Sequence, residues 1–209
     1  MSLVGIRDYD CGNIKSITNA IKFLGYEFKL IHQKEELDQF KKIILPGVGA
    51  FDHAVKALKK KNLFVCIKDW CKNDTNKILG ICLGMQLLCK DSEESLNKEK
   101  GLSLIDANVL SLSNKLNNSD KVPHMGWNEI DLIENDVFSF ENNKRDFYFV
   151  HSYAVFVNHK KFSLAKTNHG NISFDSMIFN RKNIFGAQFH PEKSYHQGLN
   201  ILKDFIENA

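Results

Sequence analysis

The sequence of 209 residues has little of what marks several common classes of protein. It contains only 3 prolines and 12 glycines, which excludes collagen-like repeats and low-complexity disorder. No apolar run approaches the roughly 18 residues that a membrane-spanning helix needs. Lysine and arginine, at 28, exceed aspartate and glutamate, at 25, by only three charges. That balance gives no reason to expect binding to nucleic acid or to a membrane surface.

Cysteine is also scarce, and its 5 copies do not form the pattern of a disulfide framework. Their number is odd and they form no CxxC motif: Cys11, Cys66, Cys71, Cys82 and Cys89. We therefore expect free thiols in a reducing cytoplasm, one of them reactive. The first residues lack a basic region followed by a long apolar stretch, so we expect no signal peptide. Length and an apolar content of 43% predict a single cytoplasmic domain over residues 1–209.

The first half of the chain alternates short apolar runs with helical patterns. Strands are predicted at residues 3–6, 28–31, 42–45 and 77–81. Helical spacing lies between them, as at Ile14, Ile17, Ile21 and Leu24. This alternation predicts an α/β fold with a doubly wound, mostly parallel sheet flanked by helices.

The second half contains strand-like runs in direct succession. They lie at residues 109–110, 130–133, 147–150, 154–157 and 184–189, and a closing helix follows from Leu199 to Ile206. Consecutive strands without helices between them predict antiparallel additions to the sheet. The polar stretches 91–100 and 113–121 are predicted to be surface loops.

The segment Lys77–Leu88 carries the most specific chemical signal. An apolar strand runs into Gly80-Ile-Cys82-Leu-Gly84 and then directly into a helical pattern. This is the arrangement of a nucleophile elbow with cysteine in place of serine. The glycines would let the chain turn and let a substrate approach Cys82 closely. The alternative is an ordinary buried cysteine beside two incidental glycines.

A thiol nucleophile needs a base, and His190 is the best placed of the 8 histidines. It ends an apolar strand in the sequence His190-Pro191-Glu192, where Pro191 keeps His190 out of a helix. In extended backbone the side chains of His190 and Glu192 point to the same side. A carboxylate bound to one ring nitrogen would leave the other facing the sulfur, as in a Cys-His-Glu triad. The alternative is a surface turn.

A third segment, Ile43–Phe51, ends a strand in Pro46-Gly-Val-Gly49 before a helix. Such a loop exposes backbone N–H groups, as an oxyanion hole or a phosphate cradle does. A simple turn between strand and helix is the alternative. Because the sequence has no P-loop pattern, nucleotide phosphate is not the favoured ligand.

Together these segments resemble the class I, or triad, glutamine amidotransferases. The resemblance covers nearly the whole chain, from Asp8-Tyr9 to the segment 190–194. Three longer motifs, at residues 45–51, 122–128 and 147–153, resemble the type that serves histidine biosynthesis. The resemblance implies a single amidotransferase domain that hydrolyses L-glutamine and passes ammonia to a (β/α)₈-barrel cyclase subunit in a heterodimer. It implies no cofactor and no metal.

The resemblance also implies a role for each matched residue. Cys82 would be the nucleophile, His190 the general base and acid, and Glu192 the carboxylate that orients His190. The oxyanion hole would be formed by backbone N–H groups at Gly47, Val48 and Leu83. The substrate would be held by the side chains of Gln86 and Glu94 and by the backbone of Ser152 and Tyr153. The cyclase would be faced by Met125, Trp127, Tyr148 and Lys193, for which ordinary strand packing or surface charge is the alternative.

The sequence departs from the family pattern in two places. Asp10 and Cys11 occupy positions where the first motif usually reads Gly followed by a variable residue. The loop around Glu94 lacks the glycines often found there. The departure at Asp10 and Cys11 leaves one rival function open, an amidotransferase subunit that feeds a different synthase, such as one amidating a sugar nucleotide. A catalytically silent binding subunit is a second rival, against which the presence of Cys82, His190 and Glu192 argues. A cysteine protease of similar elbow geometry is a more remote third.

Overall fold

The computed structural model describes residues 3–9, 11–117, 120–133, 138, 140 and 145–209, and the structural statements below concern these residues. Asp10, one of the two positions that depart from the family motif, lies outside them. The helices are α1 (Ile14–Phe23), α2 (Phe51–Lys60), α3 (Leu63–Trp70), α4 (Leu83–Leu88) and α5 (Tyr195–Glu207). None of these helices is both long and apolar enough to cross a bilayer.

Parallel strands form the first half of the main sheet. They are β1 (Val4–Arg7), β2 (Phe28–Ile31), β3 (Lys42–Gly47), β4 (Lys77–Cys82) and, from the end of the chain, β13 (Ile184–Ala187). The chain places β2 on one side of β1 and then adds β3, β4 and β13 on the other. This doubly wound order puts the carboxyl ends of β3, β4 and β13 at one edge of the sheet, where ligands bind in such folds.

Antiparallel strands extend the sheet from β13. They are β5 (Asp91–Ser92), β6 (Ala107–Ser111), β8 (Asp131–Leu132), β10 (Tyr153–Val157), β11 (Ser163–His169) and β12 (Ile172–Phe179). From β13 the sheet continues through β12, β10 and β6 to β5, the last pair being parallel, while β11 pairs with β12 and β8 with β11. A separate two-stranded antiparallel ribbon consists of β7 (His124–Glu129) and β9 (Asp146–His151).

Helices cover both faces of the parallel strands because each strand is apolar on both sides. Ile43 and Ile78 face a core formed with α2, α3 and α4. Their neighbours Ile44 and Leu79 face the opposite core, which contains α1 and α5. The period-2 alternation of strand side chains divides adjacent residues between the two layers. The predicted fold class is confirmed.

The sequence analysis does not predict strands β11 and β12. Polar residues interrupt the apolar pattern in both, and several of them are buried, including the charged Asp175. Its carboxylate accepts a hydrogen bond from Ser163 Oγ at 2.5 Å and lies 3.1 Å from Lys166 Nζ. Pairing makes burial of this charge tolerable. Elsewhere the predicted strand at 130–133 is shortened to β8, and the predicted loop at 91–100 begins with the short strand β5.

Candidate active site

Cys82 lies where β4 ends and α4 begins, in an unusual backbone conformation. Its φ is 53° and its ψ is −112°, a region that residues with a side chain rarely occupy. Such strain costs on the order of 1–3 kcal/mol and is found preferentially at functional sites. The conformation ends the strand abruptly, and the Cys82 side chain lines a cleft at the edge of the sheet.

The two glycines of the elbow serve close packing and not the turn itself, which corrects the expectation from the sequence. Neither Gly80 nor Gly84 has a positive φ. A Cβ atom on Gly84 would lie 1.8 Å from the carbonyl oxygen of Leu45, and one on Gly80 would lie 2.6 Å from the carbonyl oxygen of Gly84. The glycines therefore let α4 pack directly on β3 and β4, and Cys82 alone adopts the strained conformation.

His190 and Glu192 form a buried pair just after β13. His190 Nδ1 lies 2.8 Å from Glu192 Oε1, and the two side chains are 3% and 1% exposed. The 3₁₀ turn Pro191–Lys193 brings the carboxylate back to the imidazole. The backbone N–H of His190 donates to the Tyr148 carbonyl at 2.9 Å, and Ser194 Oγ donates to the His190 carbonyl at 2.6 Å. These bonds fix the backbone that carries the pair.

The protonation of His190 reflects its neighbours more than its burial. Burial by itself lowers the pKa of His190, but the nearby Cys82 sulfur and the Glu192 carboxylate bonded to Nδ1 outweigh burial and hold that pKa above its ordinary value. His190 Nε2 makes no hydrogen bond within the described part of the chain. The ring is thus held through Nδ1 and borders the same cleft as the sulfur, an arrangement that can pass a proton between the cleft and Nε2.

The cleft has a volume of about 370 Å³ and brings together most of the residues predicted from the sequence. It is lined by Val48, Gly49, Cys82, Leu83, Gln86, Glu94, Pro123, Val150, His151, Ser152, Tyr153 and His190. Of the predicted catalytic and substrate residues, Glu192 lies behind His190, and Gly47 is not part of the lining. A larger groove of about 690 Å³ between Lys34 and Asn76 has no histidine in its lining.

Gln86 is fixed in the cleft wall by two bonds from its amide nitrogen. Nε2 donates to the Tyr153 carbonyl at 3.0 Å and to Gln188 Oε1 at 3.2 Å. The Gln188 amide in turn lies 3.8 Å from the Cys82 sulfur. Both amide hydrogens of Gln86 are therefore used, which leaves its oxygen as the group available to a ligand. Sequence reasoning missed Gln188, although it stands two residues before His190.

Glu94 brings a carboxylate into the cleft. The pKa of Glu94 is raised, first by burial and also by the nearby charge of Asp52, while a hydrogen bond from the Phe51 backbone acts in the opposite direction. A partly desolvated carboxylate gains more from a cationic partner than an exposed one. The position suits the recognition of an ammonium group on a small substrate.

The backbone N–H groups predicted to form the oxyanion hole differ in their surroundings. The Val48 N–H donates to the Cys11 carbonyl at 3.1 Å, so this donor is occupied. Gly47 pairs with Cys82 across β3 and β4, and a Cβ there would lie 2.8 Å from Leu83 Cβ and from the Tyr9 hydroxyl. An oxyanion in the cleft can use Val48 only after its bond to Cys11 opens.

The residues predicted to face a partner lie together on the ribbon and on the 3₁₀ turn Pro191–Lys193. Met125 and Trp127 are 62% and 46% exposed on the outer face of β7, and Tyr148 stands opposite Trp127 on β9. Lys193 Nζ lies 5.7 Å from the centre of the Tyr148 ring. The sequence analysis missed Tyr195, whose exposed ring stacks on Trp127 with centroids 4.9 Å apart.

A metal site is not found among the described residues, which include no group of three or more histidine, cysteine or carboxylate side chains suited to hold an ion. The cleft and the groups directly behind it supply the Cys82 thiol, the His190 imidazole and the Glu192 carboxylate. A strained sulfur nucleophile beside a carboxylate-bound imidazole is the constellation of covalent acyl transfer.

Comparison with known proteins agrees with this geometry. The profile of the family described as glutamine amidotransferase class-I matches residues 6–209. The chain belongs to this family. Its fold is similar to the structure of PurLQS from Thermotoga maritima, with a TM-score of 0.74, 19% identity, and coverage of 98% of this chain and 97% of that chain.

Two curated relatives narrow the assignment. The chain is 41% identical over 206 residues to the imidazole glycerol phosphate synthase subunit HisH of Caldanaerobacter subterraneus, covering 98% of each protein. It is 44% identical over 204 residues to the subunit of the same name from Buchnera aphidicola, covering 97% of each. Within the class-I family the chain therefore groups with the HisH subunits.

Proposed function

We propose that the protein is the glutaminase subunit of an imidazole glycerol phosphate synthase in histidine biosynthesis. The observation that carries the proposal is the convergence of Cys82, the His190–Glu192 pair, Gln86 and Glu94 on one cleft. The near full-length similarity to HisH subunits supports the pathway. The cleft is of a size for one amino acid and contains groups complementary to both ends of L-glutamine.

The proposed reaction begins with the substrate amide in the cleft. The Gln86 oxygen accepts a hydrogen bond from the amide nitrogen of glutamine, and Glu94 binds its ammonium group. The backbone of Ser152 and Tyr153 lies near its carboxylate. The Cys82 thiolate attacks the amide carbon, and the charge on the oxygen is stabilised by backbone N–H groups at Leu83 and at Gly47 or Val48. Since the Val48 N–H is occupied by Cys11, the proposal includes a local rearrangement of that loop before or during attack.

Proton transfer through His190 completes the cycle. The protonated imidazole donates to the leaving nitrogen, so that ammonia departs and a thioester to Cys82 remains. A water molecule then loses a proton to His190 and attacks the thioester, which releases glutamate and restores the thiolate. Glu192 keeps the ring oriented through Nδ1 during both steps.

Ammonia is useful to a synthase only while it is unprotonated, which explains the partner in the proposal. A (β/α)₈-barrel cyclase docks on the patch of Met125, Trp127, Tyr148 and Lys193 and receives ammonia without contact with bulk water. It forms imidazole glycerol phosphate and an aminoimidazole carboxamide ribotide. The aromatic and methionine side chains of the patch are of the types enriched at protein interfaces.

The test measures glutamine hydrolysis with and without a barrel cyclase and its ribonucleotide substrate. We expect little activity from the isolated chain and strong stimulation in the complex. The Cys82→Ser variant is expected to lose glutamine-dependent synthesis while the complex keeps ammonia-dependent synthesis. Cys66→Ser is the matched control, because this thiol lies outside the cleft and its loss is expected to leave both activities unchanged.

Other results would contradict the proposal. Loss of both activities in Cys82→Ser would assign Cys82 a structural role. Stimulation by a different synthase, and none by the cyclase, would place the chain in another pathway. Absence of a covalent adduct between Cys82 and a glutamine-like electrophile in the complex would identify a silent binding subunit.

A further inference from the structure

The inner face of the β7–β9 ribbon carries polar side chains that the proposed reaction does not use. His124 and Asn128 stand on the face of β7 opposite to Met125 and Trp127, and His151 lies across from His124 on β9. His124 and His151 are 4% and 6% exposed. No carboxylate of the described residues is bonded to either imidazole, so these two buried rings in contact need their protons placed consistently.

The hydrogen bonds determine where each proton lies. At one end, the amide nitrogen of Asn128 is identified because it donates to the Asn168 carbonyl at 2.9 Å while its oxygen accepts from the Glu129 N–H at 2.8 Å. The same nitrogen lies 3.0 Å from His124 Nε2. That ring nitrogen must therefore be the acceptor, and His124 carries its proton on Nδ1.

The bond from His151 at the other end of the series gives the same donor-to-acceptor direction. His151 Nδ1 lies 2.9 Å from the Tyr153 carbonyl, which can only accept, so His151 also carries its proton on Nδ1. Between the rings, His124 Nδ1 lies 2.9 Å from His151 Nε2, and the first donates to the second. Both rings are neutral with one proton each. A further proton on either ring would set two donors against each other.

This series of hydrogen bonds ends at the Tyr153 carbonyl, beside the substrate cleft. The Tyr153 carbonyl accepts from His151 and also from Gln86 Nε2, whose other hydrogen is directed to Gln188. The position of this carbonyl thus determines both the path of the Ser152–Tyr153 backbone and the orientation of the Gln86 amide. The two groups that would hold the carboxylate and the amide of glutamine share one anchoring point.

We propose that Asn128, His124 and His151 form a directional hydrogen-bond chain whose function is to position the Tyr153 carbonyl, and through it Gln86 and the Ser152–Tyr153 backbone, for binding L-glutamine. His124 and Asn128 are positioning residues, since they do not line the cleft. The role rests on the proposed glutaminase activity. Burial also lowers the pKa of both rings, which agrees with their neutral state.

Kinetics in the complex with the cyclase test the positioning role. His124→Leu removes the donor to His151 in surroundings that tolerate an apolar side chain, since Phe149 and Phe174 pack against His124. We expect KM for glutamine to rise roughly tenfold, with kcat within about threefold. In His124→Asn the amide nitrogen can replace Nδ1, and KM is expected within about threefold of the wild type. His169→Gln is the control, because His169 packs on His124 but bonds to the Lys121 carbonyl, outside the chain.

A second measurement does not depend on activity or on the partner. Imidazole ¹⁵N spectra of the isolated chain at neutral pH are expected to show His124 and His151 neutral and protonated on Nδ1. Asn128→Asp replaces the donor by an acceptor of the same size and is expected to move a proton to His124 Nε2. If His124 or His151 of the wild type were charged, or protonated on Nε2, the directional hydrogen-bond chain would be disproved.

The kinetic outcome separates this inference from the proposed function. An unchanged KM in His124→Leu, in a complex that hydrolyses glutamine normally, would overturn the positioning role while the glutaminase stands. A complex without glutaminase activity would contradict the proposed function, and L-glutamine binding to the His124 variants by calorimetry would then decide on positioning. Equal affinities would overturn it, and a weaker affinity in His124→Leu alone would support it.

Discussion

Two buried histidine environments border the same cleft, and they treat a proton in opposite ways. His190 is bonded to the carboxylate of Glu192 and lies near the Cys82 thiol, and its pKa is raised. His124 and His151 are bonded to neutral groups, and burial lowers the pKa of His124 to about 4 and that of His151 to about 3. All three side chains are almost completely buried.

The difference shows that the partner, and not burial, decides whether a buried imidazole is charged. Desolvation opposes the charge in both places, but among the described residues acidic partners, Cys82 and Glu192, compensate only at His190. The charge on His190 also disfavours a charge on His151. One part of the cleft can therefore exchange a proton with a substrate while the other keeps a fixed hydrogen-bond pattern. The first property suits catalysis and the second suits positioning.

The largest expected effect comes from making the His190 environment neutral. Glu192→Gln keeps the size of the side chain but removes one of the two groups, Cys82 and Glu192, that hold the His190 pKa up. We expect kcat for glutamine hydrolysis in the complex to fall roughly 10²- to 10⁴-fold, the range for loss of an effective acid–base partner. A pH profile of kcat should shift toward lower pH. An unchanged profile would contradict the claim that the charge of Glu192 raises the pKa of His190.

The second prediction concerns stability at acidic pH. In the unfolded chain His124 and His151 bind protons near pH 6.5, but in the folded chain they do so only near pH 4 and 3. Their contribution to stability is therefore present above pH 6.5 and is lost as the pH falls toward the folded values, by about 4 kcal/mol between pH 7 and pH 5. Urea unfolding at pH 7, 6 and 5 measures the loss.

A matched variant separates the contribution of these histidines to the pH dependence of stability from the contribution of the carboxylates. His124→Asn keeps a donor to His151 but cannot be protonated, so its stability should decline less between pH 7 and 5 than that of the wild type. Equal slopes for the two proteins would contradict the assignment. His190 has the opposite sign: its raised pKa gives a contribution that is present below pH 6.5 and is lost as the pH rises.

The smallest expected effect separates the two faces of the ribbon. Trp127→Ala removes an exposed ring from the outer face, while His124 on the inner face is untouched. We expect the affinity for the cyclase to fall about tenfold, as for a moderate hot spot, with the acid stability unchanged. Leu96→Ala, at another exposed apolar residue, is the control. A change in the acid stability would mean that the two faces do not act separately.

Much of the fold followed from the sequence because its first half repeats a local pattern. Apolar strands such as Lys42–Gly47 and Lys77–Cys82 alternate with amphipathic helices, and period and turn residues are local properties. Strands β11 and β12 could not be predicted this way. Their buried charged residue, Asp175, is compatible with a strand because Ser163, Lys166 and the Val157 N–H come to lie beside it in the fold.

The candidate site divides in the same manner. Cys82, His190 and Glu192 stand in short motifs whose chemistry is visible in one dimension, and the structure places all three at or behind one cleft. Their catalytic roles stay predictions, as do those of the substrate and partner residues. Gln188 and Tyr195 were not predicted, because a glutamine just after a strand and an aromatic residue at a helix start have no distinctive pattern.

The sequence by itself determined which reactive groups are present, the doubly wound class of the fold, and the family. The tertiary structure alone decided what each group can do. In the fold, Gln86 bonds to Gln188, 102 residues away, and His124 bonds to His151, 27 residues away. The Val48 N–H donates to the Cys11 carbonyl and is therefore not free. The physical reason is that the charge state and the free hydrogen-bonding capacity of a buried group depend on the atoms around it, and folding brings those atoms from distant parts of the chain.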